Sequence, residues 1–308
     1  MPLGKKVLSI QSHVVHGYVG NKAATFPLQY RGWDVDALNT VEFSNHPGNG
    51  KFSGFKATGD DLRDIIGKGL LDGLGIKYDA VLLGYLPDAD GLQGVAELVA
   101  KLRTQDANLI WVVDPVLGDN GVLYMPLELV PVYKNMLKHG DVTLTTPNQF
   151  EMELLTDLHI VDSGALLRSI ETFHMLYPKV QNLVVTSLQL RDIPESSFVV
   201  ACSDFKTTHC FKVPKIDVSF SGSGDFLSAM LLHMLKDGYK LPEATNKALT
   251  LVDKVLRWTF ELAMRDHNPS PHSPHNPQTS PKTCELRLIE SRHLLRDPVE
   301  PKFTYTTL

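Results

Sequence analysis

Residues 220–225 read Phe220-Ser221-Gly222-Ser223-Gly224-Asp225 and lead directly into residues 226–235, an apolar run of helix-forming residues. Glycine lets the backbone curl without Cβ clashes, so several N–H groups can point towards one place. The first N–H groups of a helix have no partner inside it, and the helix dipole adds partial positive charge there. This segment therefore predicts a Gly-Ser-Gly turn that opens a buried helix and binds an anion such as phosphate.

Asp225 would lie in the first turn of that helix, beside the predicted anion site. A carboxylate is out of place in a purely anion-binding site, but it can accept a proton from a hydroxyl that attacks a phosphate. The alternative is a glycine turn whose Asp only stabilises the start of the helix. The residues at the ends of the other predicted strands help to decide between a catalytic base and a helix-stabilising Asp.

Residues 109–113 form a continuous apolar run, which is typical of a central parallel strand buried on both faces. Asp114 ends this strand, and Asp119 follows five residues later. Carboxylates at the edge of a sheet suit Mg²⁺, which takes a few oxygen ligands together with phosphate oxygens. Local turn chemistry beside Pro115 and Gly118 is the alternative, but the pair of acids favours a metal and phosphate site.

Other predicted strands also end in polar or aromatic residues. Ser12 follows the apolar strand 7–10, Tyr85 ends a second strand, and Thr186 and Ser187 end a third. Ligands of open α/β sheets bind at the carboxyl ends of the strands. Ser12 is therefore a candidate ligand contact, with helix capping as its alternative role. Tyr85 either stacks on a ligand ring or belongs to the core.

The stretch after the predicted strand 141–145 reads Thr-Pro-Asn-Gln-Phe-Glu. We expect Thr146 to cap the following helix, with Pro147 at its first position. Whether Asn148 and Glu151 also bind a ligand is left open by these residues.

Strands and helices alternate along most of the chain, which predicts an α/β fold with a mostly parallel central sheet and helices on both faces. Residues 41–50 are rich in turn formers and predict a ligand-facing loop. Residues 197–202 and 208–213 predict antiparallel edge strands.

Composition excludes several classes of protein. The 308 residues are 43% hydrophobic and carry a formal net charge of -5, so nucleic acid is not an expected partner. The 3 cysteines lack CxxC spacing, which argues against a disulfide framework or a zinc cluster. No apolar run reaches the length of a membrane span. We expect a soluble protein of a reducing compartment, the cytoplasm first and the nucleus second.

Residues 267–281 are rich in proline, histidine and serine and poor in apolar residues, which predicts a flexible loop over about 266–283. A solvated loop is favoured over a histidine metal site.

Deleting residues 267–281 should leave the melting temperature and turnover unchanged. A large fall in either quantity would show that the segment packs or acts.

The order of the motifs closely resembles the pyridoxal kinase family within the ribokinase-like fold, and the match covers nearly the whole chain. The motifs are Asp-Pro-Val-Leu-Gly-Asp at 114–119, Thr-Pro-Asn-Gln-Phe-Glu at 146–151, Thr-Ser at 186–187 and Gly-Ser-Gly-Asp at 222–225. The segments that separate this family from sugar and nucleoside kinases are 11–14, 17–21, 43–46 and 84–85.

The resemblance implies transfer of the ATP γ-phosphate to the 5′-hydroxyl of pyridoxal, pyridoxine or pyridoxamine. It implies one ribokinase-like domain over residues 1–308, with no separate lid domain, in a homodimer. Asp225 would be the base that accepts the hydroxyl proton. Gly222, Ser223 and Gly224 would hold the moving phosphate. The family usually has Thr where Ser223 stands, and because the hydroxyl is kept we expect little loss.

The vitamin side of the site also follows from the resemblance. Ser12 would bond the pyridine-nitrogen side of the ring, and Val19, Val41 and Tyr85 would contact the ring. Pro47 stands where the family usually has a Thr that touches the vitamin. That contact is therefore lost, and the loop that carries Pro47 is expected to differ in geometry.

The resemblance also implies two cations and an ATP site. Asp119 would hold Mg²⁺ or another divalent cation. The residues implied around a monovalent cation, K⁺ or Na⁺, and the phosphate oxygens are Asp114, Thr146, Glu151 and Thr186. The further residues implied to line the ATP site, with Ser223, are Asn148, Ser187, Ile216, Asp217 and Val218. There is no P-loop lysine, so cations and the anion site must neutralise the phosphates.

Two other functions stay open. A hydroxymethylpyrimidine kinase shares the fold and acts on a related ring, and comparing the two vitamins as substrates separates it from a pyridoxal kinase. A catalytically weak vitamin B6-binding or delivery protein is a rival of another class. The presence of both Asp225 and Asp119 argues against it, whereas product binding without turnover would favour it.

Overall fold

The computed structural model describes residues 4–267, 283–296 and 298–308. The predicted loop 266–283 falls mainly on residues 268–282, which lie outside the described residues. Asp266 is still in a helix and Thr283 already belongs to a strand, so the predicted limits of the loop were too wide.

A ten-stranded sheet is the centre of the described structure. Its strands are β1 Lys5–Val14, β2 Trp33–Phe43, β3 Gly54–Lys56, β4 Ala80–Leu83, β5 Ile110–Val113, β8 Leu144–Thr145, β9 Asn182–Leu188, β10 Ser197–Ser203, β11 Thr208–Pro214 and β14 Tyr305–Thr307. Two small sheets pair β6 Gly118–Asp119 with β7 Val122–Leu123, and β12 Ser219–Ser221 with β13 Thr283–Glu285.

The order across the main sheet is β14-β11-β10-β9-β8-β5-β4-β1-β2-β3. The run from β9 to β2 is parallel throughout, whereas β10, β11, β14 and β3 pair antiparallel at the two sides. The predicted mostly parallel sheet is therefore confirmed. Because the parallel strands share one direction, their carboxyl ends meet at one edge of the sheet.

The helices connect these strands and cover both faces. They are α1 Asn21–Tyr30, α2 Gly59–Arg63, α3 Ala89–Gln105, α4 Leu129–His139, α5 Gln149–Thr156, α6 Ser163–Leu176, α7 Ser223–Lys236 and α8 Leu241–His267. α2 continues as π-helical turns over Asp64–Gly73, and short 3-10 helices cover Pro47–Asn49 and Arg292–Leu295. No helix in the described ranges is long and apolar enough to cross a membrane.

Side chains of the central strands alternate between two cores, as a period of two requires. Leu8 and Ile10 of β1 pack in one core with α2 to α6, whereas Val7 packs in the other with α1, α7 and α8. β5 alternates in the same way, with Val113 in the first core and Val112 in the second. Burial on both faces explains why these strands are continuously apolar in sequence.

Several predictions about the strands were wrong. β1 extends to Val14, so Ser12 lies within the strand and not after it. β2 extends to Phe43, so Val41 is in a strand and the loop begins only at Ser44. β10 and β11 form the predicted antiparallel hairpin, but they are not edge strands, because β10 lies between β9 and β11, and β14 pairs with β11. The Tyr-Thr-Thr of β14 is too short and polar to carry a periodic signal. We call residues 44–53, between β2 and β3, the flap.

Candidate active site at the carboxyl ends of the parallel strands

A cleft of about 630 Å³ opens at the carboxyl edge of the parallel strands. Ser12 of β1 and Thr186 of β9 line it, together with residues that follow three other parallel strands: Tyr85, Asp114 and Thr146. The start of α7 forms its wall. The predicted convergence of strand ends at one site is therefore present in the structure.

The cleft brings together most of the residues that the sequence singles out. These are Ser12, Val19, Val41, Pro47, Tyr85, Asp114, Asp119, Thr146, Asn148, Glu151, Thr186, Ser187, Gly222, Ser223, Gly224 and Asp225. Three of the predicted ATP-site residues, Ile216, Asp217 and Val218, lie between β11 and β12 and are not part of the lining.

The start of α7 has the features of an anion site. Gly222 occupies the N-cap position at φ 82° and has no side chain that could cap the helix, and it lines the cleft together with Ser223 and Gly224 at the start of α7. A Cβ on Gly222 would collide with the backbone carbonyl of Tyr18. Both the positive φ and this close approach require glycine there. The turn is thus held against the loop that follows β1.

Asp225 lies in the first turn of this helix and faces that same loop. Its Oδ2 accepts a hydrogen bond from the N–H of Gly20 at 2.8 Å. Burial raises the pKa of Asp225 to about 6, although the Gly20 hydrogen bond opposes the rise. A carboxylate with such a pKa remains largely ionised near neutrality and is a stronger base than one in water. Asp225 therefore suits the predicted role of proton acceptor.

A second carboxylate, Asp114, lies deeper in the cleft and is only 8% exposed. Burial raises its pKa to about 7, and the negative charge of Asp225 adds to the rise. The Ser228 hydroxyl donates a hydrogen bond to Asp114 Oδ2 at 3.0 Å and lies 3.0 Å from the hydroxyl of Thr146. Ser228 is on α7 one turn after Asp225. The same helix therefore carries the Asp225 carboxylate and the hydroxyl that hydrogen-bonds Asp114.

Glu151 is also buried, with 3% exposure. Its carboxylate accepts hydrogen bonds from the N–H groups of Asn148 and Leu117, at 2.8 and 2.9 Å. Burial and the charge of Asp114 raise the pKa of Glu151 well above its usual value. Glu151 is therefore a buried residue of the site and not a solvated residue of the helix surface.

The predicted capping role of Thr146 is wrong. Asn148 is the N-cap of α5: its side chain accepts from the N–H of Glu151, and the Glu151 side chain accepts in return from the N–H of Asn148. Thr146 is buried and bonds Ser228 instead. The spacing of Asn148 and Glu151 is the N-cap to N3 spacing of a capping box, which is the sequence signal that could have located the cap.

Replacing Asn148 with Ala should lower the free energy of unfolding by about 1–2 kcal/mol relative to Asn148→Ser, because serine caps the helix and alanine does not. Both changes lose the bond from the Asn148 side chain to the Gly118 carbonyl, so their difference isolates the cap. Urea unfolding of the two variants measures it, and equal stabilities would contradict the capping role.

Asp119 is half-buried on the β6–β7 hairpin at the rim of the cleft. Its two oxygens accept from the backbone and side-chain N–H groups of Asn120, at 2.8 and 3.1 Å. Within the described ranges, no group of three or more His, Cys, Asp or Glu side chains is arranged to hold a metal ion. A cation at this site would need hydroxyl, carbonyl, water and phosphate oxygens in addition to carboxylates.

The opposite end of the cleft is apolar. Val14, Val19, Val41 and Phe43 form a separate buried cluster, and Tyr85 packs partly buried against it. Tyr85 thus both contributes to this cluster and lines the cleft. The site therefore combines an apolar surface that fits a flat ring, an anion-binding turn with a base beside it, and an acidic end.

Several lining residues were missed by sequence reasoning. They are Val116, Gly118, Asn120, Tyr124, Ser219, Phe220, Ser221, Leu227, Ser228 and Thr283, together with Val14, Phe43, His46 and Gly48 near the flap. Phe43 and His46 belong to the motif 43–46, which identifies the family but assigns no role to a single residue. Ser228 carries no local signal, because a serine inside an apolar helix is also found where it only packs.

Comparison with known proteins agrees with this arrangement. A family model described as phosphomethylpyrimidine kinase matches residues 71–270. A putative pyridoxal kinase of Saccharomyces cerevisiae is 46% identical over 306 residues, which cover 96% of this chain and 94% of that protein. Pyridoxal kinase of Homo sapiens is 35% identical over 309 residues, with 95% and 96% covered. The chain belongs to the pyridoxal kinase family.

The pyridoxal kinase family also has solved structures that resemble this one. Pyridoxal kinase from Leishmania donovani in complex with ADP and pyridoxine matches with a TM-score of 0.82 at 32% identity, over 98% of this chain and 99% of that one. The predicted α/β fold of the ribokinase-like type is confirmed. The predicted resemblance to pyridoxal kinases is confirmed as well.

Proposed function

We propose that this chain is an ATP-dependent pyridoxal kinase, which phosphorylates the 5′-hydroxyl of pyridoxal, pyridoxine and pyridoxamine. The observation that carries the proposal is one cleft in which an apolar ring surface, the uncapped start of α7 and the raised-pKa carboxylate of Asp225 adjoin. Relatives named pyridoxal kinase support the choice of vitamin.

In this proposal, Val19, Val41 and Tyr85 contact the pyridine ring, and Ser12 bonds its nitrogen side. Asp225 takes the proton from the hydroxyl as its oxygen forms a bond to the γ-phosphorus of ATP. The bond from the γ-phosphorus to the bridging oxygen breaks, and its electron pair leaves with ADP. The first N–H groups of α7 stabilise the charge on the transferring group. Closure of the flap would keep water from the phosphate.

The acidic end fits cations. Asp119 would hold Mg²⁺. The proposed ligands of a monovalent ion are Asp114, Thr146, Glu151 and Thr186. When bound, these cations neutralise phosphate charge. The fit rests on Asp114 and Glu151, two buried carboxylates. Burial raises the pKa of both, and negative charge adds to each rise: that of Asp225 for Asp114, and that of Asp114 for Glu151. Among the described residues, no Lys or Arg charge contributes to either pKa shift.

Turnover of ATP against a panel of acceptors tests the function. Pyridoxal, pyridoxine and pyridoxamine should each support ADP formation in a coupled assay, and hydroxymethylpyrimidine should be poor. The family model described as phosphomethylpyrimidine kinase makes the reverse preference the second candidate. Pyridoxal phosphate binding without turnover of any acceptor would favour the delivery protein.

We also propose that the chain forms a homodimer. Sedimentation velocity tests this by measuring the mass of the particle in solution.

A further inference from the structure

The short strand β13 reaches the active site from the far end of the chain. It pairs parallel with β12, in a register that places Glu285 beside Ser221, the residue before Gly222. Thr283, two residues earlier, lines the cleft. A segment that is more than fifty residues beyond the anion-binding turn in sequence is therefore part of the wall of the site.

The Glu285 carboxylate joins two other elements. Its Oε2 accepts from the backbone N–H of Tyr18 at 3.3 Å, and its Oε1 accepts from the side-chain Nδ2 of Asn49 at 3.3 Å. A Cβ on Gly17, which has φ 97°, would lie 2.7 Å from Oε2. Glycine at position 17 thus makes room for the carboxylate. Tyr18 is the residue whose carbonyl the Gly222 turn approaches.

Asn49 belongs to the flap, whose residues His46, Pro47 and Gly48 line the cleft. The base of the flap is fixed by backbone bonds, such as the one from His16 N–H to the Ser44 carbonyl at 2.9 Å. Ser44 and Asn45 make their side-chain bonds within the flap. Asn49, near its tip, instead reaches out of the flap to β13.

We propose that Glu285 is a positioning residue that holds the flap over the vitamin end of the cleft. Its hydrogen bond with Asn49 is called the latch below. One carboxylate then links the flap tip, the loop after β1 and the strand that leads into the anion-binding turn. Neither Glu285 nor Asn49 lines the cleft, so the latch acts on closure and not on the reacting atoms. The kinetic form of this proposal rests on the proposed pyridoxal kinase activity.

Flap opening can be measured without any substrate. Lys51 is exposed in the flap, two residues after Asn49, so the rate of tryptic cleavage after Lys51 reports local opening. Asn49→Ala and Glu285→Ala should each raise this rate by about three- to tenfold, as expected for loss of a single exposed hydrogen bond. The double variant should be no faster than the faster single variant, because both changes remove one contact.

A rescue distinguishes the latch from a general loss of structure. Asn49→Asp places a second carboxylate opposite Glu285 and should open the flap further. Combining it with Glu285→Gln restores a donor and an acceptor in swapped positions and should return the cleavage rate towards that of the unmodified chain. Glu300→Ala, which removes an exposed carboxylate elsewhere in the C-terminal segment, is the control and should leave the rate unchanged.

In the kinase assay, the latch variants should raise KM for pyridoxal by about three- to tenfold while kcat and KM for ATP change by less than about twofold. Additive cleavage rates in the double variant, or no rescue by the swapped pair, would overturn the latch. A fall in kcat at unchanged KM would overturn its role in vitamin binding. Absence of pyridoxal phosphorylation in the unmodified chain would refute the proposed function, and the cleavage measurements would still decide the latch.

Discussion

Replacing Asp225 with Asn should lower kcat for pyridoxal phosphorylation by about 10²–10⁴-fold, the usual effect of losing a positioned base. Asparagine keeps an oxygen that can accept the Gly20 hydrogen bond, so the loop after β1 should stay in place. It also removes a negative charge beside Asp114 and the phosphate site. The affinity for pyridoxal should therefore be kept, the affinity for ATP should not fall, and the loss should appear in kcat alone.

Steady-state kinetics and calorimetric titration of both ligands measure this separation. Asp72→Asn removes an exposed carboxylate outside the cleft and should leave both quantities unchanged. A melting temperature close to that of the unmodified chain shows that the variant is folded. If folded Asp225→Asn retained most of its turnover, Asp225 would only stabilise the start of α7, which is the alternative that its sequence position allows.

The parts of the fold that follow from local patterns could be predicted from the sequence. Continuous apolar strands such as Ile110–Val113 show burial on both faces, and their polar ends locate the carboxyl edge of the sheet. Ser12, Asp114 and Asp225 could be selected because a strand end and a helix start are both visible in sequence. The topology of an open parallel sheet then brings such ends together without further information.

What could not be predicted depends on contacts between distant residues. The bond between Ser228 and Asp114 joins residues 114 positions apart, and the bond between Asn49 and Glu285 joins residues 236 apart. Neither has a periodic or motif signal. The cap of α5 was mispredicted for a local reason, because Thr146 and Asn148 are both good capping residues. The Asn148–Glu151 spacing decides between them once it is considered.

The buried acids give the site a requirement beyond a base and an anion-binding turn. Asp114 and Glu151 are 8% and 3% exposed, burial raises the pKa of both, and the charge of Asp114 raises that of Glu151 further. Two neighbouring carboxylates beside a polyphosphate repel strongly unless a cation lies between them. Mg²⁺ demands a small octahedron and keeps several waters. Asp119 and the phosphates would satisfy it, so these other oxygens are left for a larger ion.

Activity at saturating Mg²⁺ should therefore depend on a monovalent cation, with K⁺ or Na⁺ raising kcat by at least about tenfold over tetramethylammonium at matched ionic strength. Glu151→Gln keeps the shape and an acceptor for the Leu117 N–H, but it removes the charge and should blunt the K⁺ response. Glu153→Gln changes a carboxylate on the same helix outside the cleft and should respond like the unmodified chain.

The rise in melting temperature on adding K⁺ without ATP gives a second readout, and Glu151→Gln should reduce it. Equal rates in all three cations, with no K⁺-dependent change in melting temperature, would show that the buried acids do not hold a monovalent ion.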